Sequence, residues 1–264
     1  MPLLAIAQFA PGADAAVNLA SIEAFAERAA ARGATLLLLP EYSSYFTPEA
    51  DETWLASAQH LDGEFVTGLG AIGQRLGIHL VAGFIETADA THVSNTVVAV
   101  APAGAVAAVY RKVHLYDAFG YRESDWVTPG PIEEPQTFAW EGFTVGMQTC
   151  YDIRFPEVSR RLVDAGADLL LVPAEWVRGP LKEQHWRTLL TARALENTVY
   201  VAAADHAPPI GVGNSMVLDP MGVELVTIGD ETGVAVAELD PARIRTVREV
   251  NPALALRRFG SVAL

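Results

Sequence analysis

The sequence predicts an α/β protein, a four-layer αββα sandwich made from two similar α/β halves. Three observations lead there. Short continuous apolar runs alternate with stretches of helical periodicity. The order strand, helix, strand, helix, then further strands occurs twice along the chain. "RGATLLLLPEY" (residues 32–42) and "AGADLLLVPAEW" (165–176) are near copies.

In the first half, "LLAIAQFA" (3–10) is a strand and "NLASIEAFAERAAARGA" (18–34) a helix with Gly33 as its stop. "TLLLLPEY" follows, bounded by Gly33 and Pro40, an apolar run suited to a strand buried on both faces of a parallel sheet. "EFVTGLGAIGQRLG" (64–77) is a second helix, "IHLVAGFIE" (78–86) a third strand, and "SNTVVAVAPAGAVAAVYRKV" (94–113) a hairpin-like pair. The second half repeats this with "FTVGMQTC" (143–150), the helix "PEVSRRLVDAGA" opening on Pro156 and closing at Gly166, and the strand "DLLLVPAEW". The helix "KEQHWRTLLTARALENT" (182–198), the strand "VYVAAADHA" (199–207) and the pair "GNSMVLDPMGVELVTI" (213–228) complete it. Each half covers one sheet face with helices, and packing the remaining faces on each other gives the four layers. No linker divides the halves, so residues 1–264 are expected to form a single domain. Residues 117–142, rich in Pro, Gly and Glu, read as one long functional loop.

Composition excludes several classes. With 264 residues, 51% of them hydrophobic, the chain can bury a large core. A net charge of −14 repels phosphate backbones and anionic lipid head groups, so neither nucleic acid nor membrane is an expected partner. A single cysteine excludes an internal disulfide framework and a multi-thiolate zinc site, and suits a reducing compartment. The N-terminus has no basic region ahead of its apolar run and reads as a strand, and no stretch is long enough to span a bilayer. A cytoplasmic protein without cofactor or metal is expected.

Ligands of α/β sheets bind at the carboxyl ends of the strands. Three reactive residues stand there: Glu41 after "TLLLLP", Lys112 closing "AVAAVYRK" and Cys150 ending "FTVGMQTC". Aligning the halves sets Ala10 against Cys150 and puts Ala174 or Glu175 near Glu41, so only one half carries the full set. A thiol with an ordinary pKa of about 8.5 needs a base or a cation to become a nucleophile. Glu41 supplies the base, Lys112 a positive charge for an oxyanion, and the helix expected from Pro156 adds backbone N–H groups favouring a thiolate. Each residue also has a plainer reading, as core filler for Cys150 and as surface charges for the others. A pairing of Cys150 with His114, which shares a strand face with Lys112, stays open, as does a catalytically silent scaffold.

The blocks "LLLLPEYS", "YRKVHLYDAFGYRES" and "QTCYDIRFPE" resemble the three signature blocks of the nitrilase superfamily, the carbon–nitrogen hydrolases. "PAEW", "HWRTLLTARALENTVYVAAA", "GNSMVLDPMG" and "NPALALRRF" extend the resemblance over nearly the whole chain. It implies that Cys150 is the nucleophile, Glu41 the general base, Lys112 the oxyanion-stabilising cation and Glu123 a second glutamate orienting Lys112. It also implies the αββα fold and a homodimer or larger assembly. On this reading Tyr151 offers its backbone N–H to the oxyanion and Trp176 lines the pocket, while Asp152, Arg154 and Glu157 form a polar network that can contact substrate through Arg154. Tyr151 and Asp152 stand where nitrilases proper carry a Trp-Glu pair, so the chain is more similar to the Nit-type amidase branch. The implied substrates are linear amides such as deaminated glutathione or ω-amides of dicarboxylic acids, with N-carbamoyl amino acids as the alternative. For anionic substrates the candidate counter-charges are Arg154, Arg122, Arg178 and Lys182.

Overall fold

In the computed structural model, which describes residues 1–262, two six-stranded sheets lie face to face with helices on their outer sides. The final two residues of the 1–264 span lie outside the described residues. The chain runs through β1 (Leu3–Gln8), α1 (Ala15–Ala31), β2 (Leu36–Leu38), α2 (Glu52–Ser57), α3 (Glu64–Leu76), β3 (His79–Thr87), β4 (Val93–Val100) and β5 (Val106–Arg111). Next come a two-stranded ribbon, β6 (Asp117–Ala118) with β7 (Tyr121–Arg122), and β8 (Thr137–Trp140). The second half has β9 (Phe143–Met147), α4 (Pro156–Asp164), β10 (Leu169–Pro173), α5 (Lys182–Asn197), β11 (Tyr200–Ala204), β12 (Met216–Leu218) and β13 (Glu224–Thr227). It closes with β14 (Gly233–Glu238) and α6 (Pro241–Val250).

Alternation along each strand decides which layer it faces. Leu36 and Leu38 of β2, with Leu4 and Ile6 of β1, meet Val145, Met147, Leu169 and Leu171 between the sheets. Leu37 and Leu39 turn outward onto Ile22, Phe25, Leu69 and Ile72 of α1 and α3. Leu170 and Val172 do the same against Leu162, Trp186 and Leu190 of α4 and α5. Both faces of these strands are buried, which is why their sequences read as unbroken apolar runs rather than alternating ones. Local signals place the helix ends. Asp14 accepts hydrogen bonds from the N–H groups of Ala16 and Val17, Pro156 and Pro241 begin α4 and α6, and Gly77 ends α3 in the left-handed region.

The sheets have strand orders β14-β1-β2-β3-β4-β5 and β13-β12-β11-β10-β9-β8. The duplication therefore holds in space with a shift along the chain. The second sheet is completed by β8, immediately before β9, whereas the equivalent edge of the first is supplied by β14, more than 200 residues downstream of β1 and antiparallel to it. Several segments depart from the sequence reading, α2 among them, since it assigned no element there. The stretch 117–142 contains the ribbon, a 3₁₀ turn at Glu123–Asp125 and β8, so it is not one loop. β14 and α6 also add to the expected elements, locking the second half to the first.

Candidate active site

The carboxyl ends of β2 and β10 meet across the sheet interface. The backbone N–H of Glu175 donates to Oε2 of Glu41 at 2.6 Å, the proximity that the internal repeat implied. The turn after β2 puts Tyr42 at φ 53°, a left-handed conformation. The close approach of β3 behind it requires Gly83, because a Cβ there would lie 2.6 Å from Glu41 Cα and 2.7 Å from Tyr42 N. Gly83→Ala must displace the Glu41 turn, and we expect it to lower kcat by about tenfold or more while the protein still folds, since a misplacement near 1 Å costs about that much or more. Steady-state kinetics with circular dichroism check this.

Lys112, just past β5, is 2% exposed and stands between two carboxylates. Its Nζ donates to Glu41 Oε1 at 2.9 Å and to Glu123 Oε1 and Oε2 at 3.0 and 2.8 Å. Burial alone pulls this ammonium down, but the charges of Glu123 and Glu41 prevail and hold it well above the ordinary lysine range. Burial likewise raises Glu123, and Lys112 more than offsets this, so its carboxyl lies below the usual range. Glu123 also accepts from the Tyr42 hydroxyl and the Tyr116 N–H, both at 2.6 Å. Asn95, on β4, donates its amide to Glu41 at 2.6 Å and to Glu123 at 3.0 Å. This asparagine holds the two glutamates in register, and no sequence signal distinguished it from its buried strand neighbours.

Cys150 follows β9 at φ 46° and opens a 3₁₀ turn, Cys150–Arg154, that separates it from α4. The sequence reading set the thiol just ahead of the helix from Pro156; in the structure a 3₁₀ turn stands between the two. Burial, and then the negative charge of Glu41, push the thiol well above the ordinary cysteine range, with Lys112 opposing. The resting group is therefore S–H, directed to the Glu175 carbonyl with Sγ at 3.5 Å. We expect iodoacetamide to label the unliganded protein more slowly than free cysteine at pH 7, with the rate still rising above pH 8.5. Rates matching free cysteine across that range would contradict this ionisation state.

Asp152 is fully buried under the same turn and links it to the first half. It accepts from the Tyr110 hydroxyl at 2.6 Å, the His114 N–H at 3.0 Å and the Thr149 N–H at 3.2 Å, and its Oδ1 lies 2.9 Å from His114 Nδ1. His114 stacks on Phe155 with ring centroids 3.7 Å apart. This commits the histidine to Asp152 and Phe155, not to Cys150. The expected network of Asp152, Arg154 and Glu157 does not form: Glu157 is exposed and faces a separate cavity of about 490 Å³ beside Arg161. Arg154 instead stands over Trp176, 4.8 Å from the ring centroid.

A cavity of about 590 Å³ collects Glu41, Lys112, Glu123, Cys150 and Trp176 in its lining, together with Glu175, Arg178 and Lys182. Trp176, expected to line a pocket, is among these residues. Tyr151 and Arg154 are not in that lining; Tyr151 packs edge-on against Tyr116 and Phe155. Arg122 is exposed and paired with Asp125, which removes it as a counter-charge. Among the described residues no cluster of His, Cys, Asp and Glu could hold a metal ion, and no helix is long and apolar enough to cross a membrane.

A buried cysteine thus shares one cavity with a lysine held between two glutamates, and comparison with known proteins gives the family. The family model for carbon–nitrogen hydrolases matches residues 3–249. The chain belongs to the carbon–nitrogen hydrolase family. This hydrolase is 37% identical over 257 residues to a deaminated glutathione amidase of Escherichia coli O157:H7, covering 97% of each chain. Among solved structures it is similar to the NitN amidase of Nesterenkonia sp. AN1, with 30% identity, a TM-score of 0.84 and coverage of 98% of this chain and 97% of that one. These relatives make the chain an amidase-type hydrolase of the nitrilase superfamily, with the αββα fold expected of it.

Proposed function

We propose that this carbon–nitrogen hydrolase cleaves a small linear amide through a thioester on Cys150, releasing ammonia and a carboxylate. The observation that carries the reading is Lys112 held between Glu41 and Glu123 in the cavity that also contains Cys150. Glu41 takes the thiol proton as sulfur attacks the amide carbon, and the oxygen that becomes negative is stabilised by Lys112 and the Tyr151 N–H. Collapse breaks the C–N bond while Glu41 returns the proton to nitrogen, so ammonia departs and a thioester remains. Glu41 then takes a proton from water, the hydroxide adds to the thioester carbon, and the thiolate leaves and regains its proton. Glu123 keeps Lys112 charged and aimed. Trp176 lines the acyl side, and Arg154 acts through the face of Trp176.

Support comes also from the Nesterenkonia amidase, 29% identical in a glutamate-to-glutamine variant with a TM-score of 0.81, in which acrylamide has added to the active-site cysteine. The substrate of the E. coli relative, deaminated glutathione, makes an anionic amide the first compound to try. The test is ammonia release from a panel of short amides, ω-amides, N-carbamoyl amino acids and nitriles. Turnover of amides supports the reading, and turnover confined to carbamoyl compounds or nitriles overturns it.

We read residues 1–264 as one catalytic unit that works in a reducing cytoplasm, where its single thiol stays free, and that pairs with a second copy. Leu256, Phe259 and Val262 leave large apolar side chains on the surface, 70%, 91% and 81% exposed. Sedimentation at micromolar concentration is expected to give a dimer or larger; a monomer would contradict the pairing.

A further inference from the structure

β11 ends at Ala204, and the two residues that follow it, Asp205 and His206, are polar side chains at 0% exposure. Neither belongs to the lining of the cavity that contains Cys150. Each nevertheless holds one atom of a segment that does. Oδ1 of Asp205 accepts from the Trp176 N–H at 2.6 Å, and Nε2 of His206 lies 2.7 Å from the Glu41 carbonyl. A carbonyl oxygen only accepts, so Nε2 carries the proton; burial pulls the imidazole down to about 4 and keeps it neutral. Phe46 stands edge-on to the ring, with centroids 4.8 Å apart. Gly211 closes on both side chains, since a Cβ there would lie 2.9 Å from Asp205 Oδ2 and 2.8 Å from His206 Cβ.

One peptide group connects Asp205 to the thiol. The Trp176 N–H and the Glu175 carbonyl belong to the same planar unit, so gripping one orients the other. Asp205 holds the N–H, and the Cys150 thiol is directed to the carbonyl with Sγ at 3.5 Å. The preceding N–H, that of Glu175, donates to Glu41 Oε2 at 2.6 Å. His206 holds the main chain of Glu41, so two consecutive residues fix the nucleophile and its base relative to each other. Asp205 Oδ2 and His206 Nδ1 are buried and find no protein partner among the described residues, which leaves Oδ1 and Nε2 as the engaged atoms of the pair. Burial lifts the Asp205 carboxyl well above the ordinary range against the pull of the Trp176 N–H. Accepting that bond therefore requires an oxygen and no negative charge.

We propose that Asp205 and His206 are positioning residues for the nucleophile and its base: Asp205 sets the Glu175–Trp176 peptide to which the Cys150 thiol bonds, and His206 sets the main chain that carries Glu41. The proposal rests on the amidase reading above and deepens it with two residues that touch neither substrate nor reacting atoms. Glu41 follows a strand of the first sheet and Cys150 a strand of the second, so His206 supplies a contact that neither sheet's own ladder provides.

Iodoacetamide labelling of Cys150 and steady-state hydrolysis of propionamide test this in the intact chain. The charged groups facing the thiol are Glu41, Lys112, Glu175 and Glu123, and of these Glu41 raises it most. In Asp205→Ala the thiol loses its aligned carbonyl, and in His206→Phe the Glu41 carboxylate is free to move away. Both changes favour the thiolate, so labelling at pH 7 should rise by about fivefold, the change that one net hydrogen bond carries. The value of kcat should fall by about tenfold or more with little change in KM. Asp205→Asn keeps the acceptor and His206→Gln the donor, and these variants should recover most of both effects. A merely structural role lowers Tm and leaves the labelling and kcat of the folded protein as in wild type. Where the first pair does not fold, Asp205→Ser and His206→Asn, polar but too short to reach the same atoms, take their place. The proposal is overturned if the folded variants label at the wild-type rate, if KM rises while kcat holds, or if Asp205→Asn and His206→Gln are impaired as deeply as Asp205→Ala and His206→Phe. Wild-type protein that leaves propionamide intact counts against the amidase reading, and labelling then decides the positioning role alone.

Discussion

Cys150→Ala and Cys150→Ser are expected to lose amide turnover by at least about 10⁴-fold while keeping the wild-type fold. In enzymes acting through a nucleophile, its removal costs about 10⁴–10⁶ in kcat, because what remains is only binding and oxyanion stabilisation. The fold should survive for two reasons visible at the site. Alanine is no more strained than cysteine at φ 46°, and the sulfur hydrogen-bonds only weakly, at 3.5 Å to the Glu175 carbonyl. Serine adds a hydroxyl that can donate to the same carbonyl but is a far weaker nucleophile beside a carboxylate base. Ammonia release read with thermal melting checks both halves of this expectation. Near-wild-type turnover in either variant would remove Cys150 from the chemistry.

Lys112→Met should lower kcat by about 10²–10³-fold with little change in KM, since a charge that forms only in the transition state is the one it stabilises. The structure adds a second effect. Glu41 and Glu123 are 1% and 4% exposed and share this ammonium, so its loss leaves two acids buried without a cation. Breaking such a cluster costs about 3–5 kcal/mol unless a carboxyl takes up a proton. The folded pKa of Glu123 is depressed in the wild type, so its ion pair contributes stability above the unfolded glutamate value and loses it as pH falls through the folded value. In Lys112→Met that contribution is absent, so the Tm difference from wild type should be large at neutral pH and shrink in acid. A raised KM with unchanged kcat would make Lys112 a substrate-binding residue instead.

The parts of this molecule legible in its sequence are those where one physical demand dominates. "TLLLLPEY" and "DLLLVPAEW" had to be strands buried on both faces, and the polar residues ending such runs had to emerge at a sheet edge. That logic located Glu41 and Lys112 at strand ends and put Ala174 or Glu175 near Glu41, of which the structure brings Glu175 to it. Cys150 was legible in position but not in ionisation, because the 3₁₀ turn and the proximity of Glu41 depend on how distant segments pack. Asn95 was hidden for the same reason: one polar residue in the wholly buried β4 is indistinguishable in sequence from a satisfied core amide. β14 escaped because its partner strand lies at the opposite end of the chain, and the polar cluster around Asp152 because its donors come from β5 and the loop after it. Among the four cations considered as counter-charges, only burial and pairing separate Lys182 from Arg122.

The covalent intermediate is the centre of this account. Rapid quenching of the wild-type protein during turnover of an amide, followed by mass spectrometry of the peptide containing Cys150, reads it directly. The account predicts a mass increase equal to the acyl group, present during turnover, absent after substrate is exhausted, and missing in Glu41→Gln because the thiol cannot give up its proton. Fast turnover with no adduct on Cys150 at any quench time, together with loss of activity in His114→Ala, would contradict it and move the chemistry to a histidine-dependent path.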